Sequence, residues 1–338
     1  MSHRLRVENI LSELSQWDVQ TLALCPGGRN APFVQALDLG SSFEVISFYD
    51  ERSAGFFALG RARRDQKPVA IITTSGTAVS ELTSAVIEAH YSGTPLVVVS
   101  ADRPKNLRGT GAPQAIDQTQ LFLGHIEKVY DLEDENLSLE SWSGRNPIHI
   151  NICFDEPLNE KSESPLKIMP EAKRQPIALK SSGSQDIQLK RGVVVVGGLH
   201  QSQRAGVTEL LCDLKLPVFL ESLSGLKTEK KLSHLVVPGG DKNLRRWFQQ
   251  GEVKSVLRLG DVPVGRFWRD LEKSDFQVTS ISDKNFLGLS HGHFFLHDLM
   301  DLSHFRFDCK TWDFSRLQAE SRRFSNQVPR ATGSSAVK

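Results

Sequence analysis

The stretch FEVISFYDERSAGFFALGRA, residues 43–62, decides the fold. Its first half is a short run rich in β-branched and aromatic residues, and its second half carries apolar residues at helical spacing. A strand that turns directly into a helix is half of a βαβ unit. The same order repeats on either side. LALCP (22–26) leads through Gly-Gly-Arg-Asn to Pro32, which suits the start of a helix. PVAIITTS (68–75) runs through Gly76-Thr77 into a helix expected over 78–90, and PLVVVSAD (95–102) ends at Arg103-Pro104. Before them, Val7, Ile10, Leu11 and Leu14 form the apolar stripe of an opening helix. Continuous Val- and Ile-rich strands separated by helices predict a parallel sheet covered on both faces.

PIHINIC (147–153) is read as the closing strand of this first α/β unit, which is expected over 1–160. Residues 161–190 turn to Lys, Ser, Pro and Gln, the composition of a linker. A second α/β unit is expected over 191–308, with strands at 192–196, 217–220, 255–259 and 277–281 and a helix over 203–214. Residues 309–338 read as a tail or a linker to a further domain. The fold class is therefore α/β, as two consecutive doubly wound domains with mainly parallel sheets.

The 338 residues are 39% hydrophobic and 24% charged, and 41 basic side chains stand against 40 acidic ones. A net charge of +1 gives no electrostatic reason to expect nucleic acid or a membrane as partner. Cys25, Cys153, Cys212 and Cys309 form no CxxC pair, which fits a reducing cytosol. The longest apolar runs are too short to span a bilayer, and the N-terminal stretch lacks the apolar core of a signal peptide. The expectation is a soluble, cytoplasmic protein.

Ligands of open α/β sheets bind beyond the carboxyl ends of the strands. Here those ends carry Pro26-Gly27-Gly28-Arg29, Asp50-Glu51-Arg52, Ser75-Gly76-Thr77 and Asp102-Arg103-Pro104. Glu51 could be an ordinary first-turn acid that complements the helix dipole. Placed between an apolar strand and an apolar helix, it could equally hold or pass a proton in a low-dielectric cleft. Arg29 and Arg103 suit bidentate binding of carboxylates, against the alternative of surface ion pairs. Cys25 reads as a small buried side chain rather than a nucleophile. GVVVVGGL (192–199) lacks the full dinucleotide spacing, and the histidines of HGHFFLH (291–297) fit no standard zinc pattern, so surface or loop positions are expected for them.

CPGGRNAP, FYDERSAGFFALGRA, TTSGTA, SADRP and GAPQAIDQ, in this order and spacing, resemble the pyrimidine-binding domain of the MenD family, the thiamine-diphosphate-dependent 2-succinyl-5-enolpyruvyl-6-hydroxy-3-cyclohexene-1-carboxylate (SEPHCHC) synthases. GVVVVGGL, LPVFLESLSGLK and RLGDVPVGRFW resemble that family's central domain. The resemblance implies decarboxylation of 2-oxoglutarate and 1,4-addition of the product to isochorismate, in menaquinone biosynthesis, with thiamine diphosphate and Mg2+ as cofactors. It implies that Glu51 is the catalytic glutamate bonded to the aminopyrimidine ring. It also implies that Arg29, Arg103 and Gln114 bind the acidic substrates, and that Ser75, Gly76 and Thr77 line the cofactor pocket. Arg266, also expected from the resemblance to bind substrate, falls where the family usually has lysine, and Gly28 where many members have serine. The family's Gly-Asp-Gly diphosphate-binding segment does not occur; Gly240-Asp241 and Gly260-Asp261 lack its context. The expected chain is thus an incomplete synthase, inactive alone, acting as a homo-oligomer or with a complementary C-terminal domain. The alternatives are another thiamine-dependent decarboxylase or carboligase, or a non-catalytic binding or regulatory subunit.

Overall fold

Strand formation in the first half follows from runs in which every residue is buried. β1 (Thr21–Leu24), β3 (Val69–Thr73), β4 (Leu96–Asp102) and β6 (Ile148–Cys153) are buried at all positions. β2 (Glu44–Ser47) and β5 (Val129–Leu132) are only partly covered and form the two edges. The computed structural model describes residues 2–159, 166, 168, 172–179 and 183–327, with side chains through residue 323. These fall into two compact units, Met1–Ile177 and Ala178–Lys338.

In the first unit six strands form one parallel sheet in the order β2-β1-β3-β4-β6-β5. Successive side chains of a strand point to opposite faces, so each buried strand feeds two cores. Leu22, Leu24, Ile72, Val97, Val99 and Ile150 pack with Val7, Ile10, Leu11 and Leu14 of α1 (His3–Gln16) and with Phe33 and Ala36 of α2 (Ala31–Asp38). Ala23, Cys25, Ile71 and Val98 pack on the opposite side with Ala54, Ala58 and Ala62 of α3 (Glu51–Asp65) and with Leu82. The stripe read on the opening helix is therefore its buried face. The helix expected over 78–90 is two helices, α4 (Thr77–Ser80) and α5 (Thr83–Ser92), separated by Glu81 and Leu82.

In the second unit five parallel strands follow the order β12-β11-β10-β8-β9, made by β8 (Gly192–Val196), β9 (Val218–Leu220), β10 (Ser255–Leu259), β11 (Gln277–Ser282) and β12 (His293–Leu296). Helices α6 (Arg204–Leu214), α7 (Gly240–Gln249) and α8 (Arg266–Leu271) connect them. Two short strands, β7 (Gln185–Leu189) and β13 (Phe305–Cys309), pair in parallel, and α9 (Ser315–Gln327) follows. β7 lies inside the span read as linker and α9 inside the span read as tail; parts of both spans fall outside the described residues. In the HGHFFLH stretch His291 precedes edge strand β12 and His293 is exposed on it, in line with the expectation, whereas His297 just past its end is fully buried, its Nε2 2.6 Å from the Asp301 carbonyl oxygen. At the turn after β8, a side chain at Gly197 would run into the backbone of Asp261, so chain fills the space that a dinucleotide reading would need. Among the described residues no helix is long and apolar enough to cross a membrane.

The turn between β1 and α2 passes so close to β3 that a Cβ at Gly27 would stand 2.6 Å from that of Thr74. Gly28, one residue on, has nothing within 4 Å of its would-be Cβ. Gly27→Ala is expected to destabilise the protein by about 1–3 kcal/mol, and Gly28→Ala by less than about 0.5 kcal/mol. Urea-unfolding midpoints of the two variants check this contrast.

Candidate active site

The sheet order reverses between β1 and β3: β1 leads outward to β2, and the chain then returns to lay β3 on the other side of β1. Connections leaving a parallel sheet in opposite directions open a crevice at the carboxyl ends of the two strands. The β1 end is built by Asn30, which is fully buried. Its Oδ1 accepts the Gly27 N–H at 2.8 Å and its Nδ2 donates to the Cys25 carbonyl at 2.9 Å. These two bonds close the Gly-Gly-Arg turn. The Arg29 N–H then donates to Thr74 Oγ1 at 3.2 Å, tying the ends of β1 and β3 together.

Arg29 donates through Nη1 to the Phe154 carbonyl at 3.0 Å, and it pairs with Glu156 at 3.4 Å. Arg103, just beyond β4, donates to Ser75 Oγ at 2.9 Å and to the Gln114 carbonyl at 3.1 Å. Burial and then the charge of Arg29 pull the Arg103 guanidinium below its ordinary value. The two cations therefore share one neighbourhood. Asp102 and Glu156 partly offset their repulsion, and a bound anion would offset it further.

Glu51 is the first residue of α3 and is half-buried, and Thr73 Oγ1 donates to its Oε1 at 3.4 Å. Cys25, at the end of β1, is 2% exposed, and burial followed by the charges of Glu51 and Asp50 pushes its thiol up to about 12. Cys25 is the small buried side chain expected, and Asp50, exposed, caps α3 by accepting the Ser53 N–H. Ser75 and Gly76 are buried, whereas Thr77 is exposed at the start of α4. Gly76 has φ 84°, and a Cβ there would lie 3.3 Å from that of Gln114, itself left-handed at φ 55° with an exposed side chain. Six of the seven first-unit residues singled out from the sequence (Arg29, Glu51, Ser75, Gly76, Arg103, Gln114) thus meet around the ends of β1, β3 and β4. Arg266 stands apart from them in sequence, in the second unit. It opens α8, its side chain is 67% exposed, and it pairs with Asp270 at 3.3 Å.

Beneath this edge lies a buried polar network that the motif reading passes over. Ser100, Gln118, His149 and Asn151 are all fully buried, and Asp102 is 1% exposed. Parallel register sets Val98 beside His149, Ser100 beside Asn151 and Asp131 beside Asn151. Arg108 joins Asp102 at 3.0 Å and Asp131 at 2.7 Å. Burial opposes the charge on Asp131, but the bonds from Arg108 and Asn151 outweigh it and hold the carboxyl at about 2. The signal lay in PIHINIC, where His149 and Asn151 interrupt a run that is otherwise buried and apolar. Polar side chains on such a strand must find partners.

The family profile described as "Thiamine pyrophosphate enzyme, N-terminal TPP binding domain" matches residues 7–121. The chain is 39% identical over 298 residues to the 2-succinyl-5-enolpyruvyl-6-hydroxy-3-cyclohexene-1-carboxylate synthase of Bdellovibrio bacteriovorus, covering 83% of this chain and 55% of that protein. The synthase of the same name from Akkermansia muciniphila is 38% identical over 295 residues, covering 84% and 54%. That of Bacillus pumilus is 33% identical over 298 residues, covering 79% and 51%. The chain spans about half the length of the curated relatives it matches.

His149 gives the network a pH signature. Burial pushes its imidazole down to about 3, against about 6.5 in an unfolded chain. Between these values the unfolded chain binds a proton that the folded one refuses, so stability falls as pH is lowered through that window, by at most about 1.4 kcal/mol per unit. His149→Gln is expected to recover about 2 kcal/mol of the loss between pH 7 and pH 4.5. Urea unfolding of both proteins at the two pH values checks it.

Proposed function

From the premise that this chain is a relative of the SEPHCHC synthases and matches the N-terminal domain of thiamine pyrophosphate enzymes, we propose that it supplies the cofactor-activating and acid-binding part of such a synthase. The reaction proposed joins decarboxylated 2-oxoglutarate to isochorismate with release of carbon dioxide, in menaquinone biosynthesis. The observation that carries this reading is the convergence of one half-buried carboxyl, Glu51, and two mutually repelling guanidiniums, Arg29 and Arg103, at the switch point of the first sheet.

The residues present suit an aminopyrimidine. Glu51 offers a carboxyl at a helix start beside an apolar sheet, and bare backbone at Gly76 leaves room where a side chain would press on Gln114. Thiamine diphosphate, when bound, supplies the stabilisation of negative charge that decarboxylation requires. In this reading Glu51 holds the ring through Oε1 or Oε2 and exchanges a proton with it. Arg29 and Arg103 receive the carboxylates of 2-oxoglutarate and isochorismate, with Gln114 beside them and Arg266 as a further cation. Ser75, Gly76 and Thr77 form the pocket wall. The pairing of Arg29 with exposed Glu156 supports the same role, because a substrate carboxylate can replace that partner.

The diphosphate and its Mg2+ are proposed to be held by residues outside this chain, in a complementary domain or a partner of a homo-oligomer, since no Gly-Asp-Gly segment occurs in the 338 residues. Soluble, cytoplasmic action belongs to the same proposal. It is tested by following isochorismate consumption with thiamine diphosphate, Mg2+ and 2-oxoglutarate, with the chain supplemented by a relative's C-terminal domain. Glu51→Gln is expected to lower kcat by about 10²-fold or more, and Arg103→Ala to raise the KM for the acidic substrates. Undiminished turnover by Glu51→Gln would sink the assignment.

A further inference from the structure

We propose that Gln118 is a positioning residue that fixes the turn at Gly76, and that the Arg108–Asp102–Asp131 cluster dictates which way it points. This inference deepens the proposed function, since it rests on the reading that this turn lines the site.

The logic starts from groups that cannot change role. A carboxylate accepts only and a guanidinium donates only. Asn151 lies between Asp102 and Asp131, 3.2 Å and 2.8 Å from its Nδ2. With Nδ2 committed to two acceptors, Oδ1 must face the other way, where it accepts from Gln118 Nε2 at 2.7 Å and from Ser100 Oγ at 2.9 Å. Gln118 Nε2 also reaches Ser100 Oγ at 3.1 Å and the Ala101 carbonyl at 3.3 Å. Its amide oxygen is then left to face the turn, where Oε1 accepts the Gly76 N–H at 3.1 Å. Flipping either amide would set donor against donor or oxygen against carboxylate in a fully buried place, a costly error.

His149 joins the same network: its Nε2 lies 2.6 Å from Ser100 Oγ, which is 2.9 Å from Asn151 Oδ1. His149 Nδ1 has no hydrogen-bond partner among the described residues. The chain of donors therefore runs one way, from Gly76 through Gln118 and Asn151 to the ion cluster. Segment 114–118 also holds Arg103 through the Gln114 carbonyl. One short stretch so fixes both the pocket turn and one of the two guanidiniums.

The test uses residue-resolved amide exchange on the full chain, with Val98 in the middle of β4 as the internal control. In Gln118→Met, Gly76 is expected to exchange at least about tenfold faster while Val98 is unchanged. Gln118→Glu, measured at a pH low enough for the buried acid to be protonated, keeps both an acceptor for Gly76 and a donor for Asn151 Oδ1, and there Gly76 is expected to stay within about threefold of the parent. Simple loss of packing would move both variants alike. Equal exchange of Gly76 in the parent and in Gln118→Met, or equal acceleration in both variants, overturns the proposal. Should the Met variant not fold, scalar coupling across the bond between the Gly76 amide nitrogen and the Gln118 side-chain carbonyl carbon in the parent decides instead: its presence supports the proposal and its absence overturns it. Thiamine binding is titrated in parallel, expected to be at least about fivefold weaker in Gln118→Met than in Gln118→Glu. A parent chain that binds no thiamine would count against the proposed function, while the Gly76 exchange rates would still decide the role of Gln118.

Discussion

Arg108 reaches both Asp102 and Asp131 inside the first unit, and much of the edge that carries the candidate site is arranged around that cluster. Desolvating a carboxylate costs several kcal/mol unless it is paired and its remaining lone pairs are bonded. Arg108 covers part of that need and the Asn151 amide covers more. Once Asn151 is oriented, the Gln118 amide has one satisfactory arrangement, and its oxygen holds the turn after β3. The cluster lies on β4, β5 and the segment following β4, so it also ties the edge strand β5 to the sheet interior.

The apolar part of the same unit constrains the site from the other direction. Strands buried on both faces hold few polar groups outside the Ser100–His149–Asn151 network, so most lie at the strand ends, and the carboxyl ends are where the chain turns back over the sheet. Topology then selects among those ends. The reversal between β1 and β3 creates the crevice, and Asn30, Thr74 and Gly27 pack its floor tightly enough that a single added methyl group has no room. Arg29 and Arg103 follow the ends of β1 and β4, on either side of β3, and Glu51 opens the helix that follows the edge strand β2.

The second unit repeats the architecture with different contents. Its own switch point, between β8 and β10, is occupied by the chain itself, where Asp261 packs against Gly197 and Gly198 and pairs with Lys284. Glu221 accepts the N–H groups of Val264 and Gly265 at 2.9 and 3.2 Å, and so shapes the loop that leads into Arg266. Burial raises the Glu221 carboxyl above its ordinary value. Arg258 is buried between the rings of Trp268 and Phe294, each 5.7 Å from its guanidinium carbon, and donates to the Phe286 carbonyl.

The sequence by itself determined the two α/β sheets, the covering helix faces and the motif residues at the strand ends, because apolar periodicity and Gly-rich turns are local signals. The stripe of Val7, Ile10, Leu11 and Leu14 and the runs at 69–73 and 96–102 needed nothing beyond their own neighbours. Short strands such as β5, β7, β12 and β13 did not announce themselves, since partly exposed segments of four or five residues become strands only through the neighbour they pair with. His297 likewise read as a surface residue and is buried by the partners that strand β12 brings to it. Tertiary structure alone decided that Gln118, Asn151 and Ser100 join in one network beneath the candidate site. Their importance is a matter of which buried donor faces which acceptor, set by the register of β4, β5 and β6 and by the turn that carries Gln118, between residues 18 to 51 positions apart.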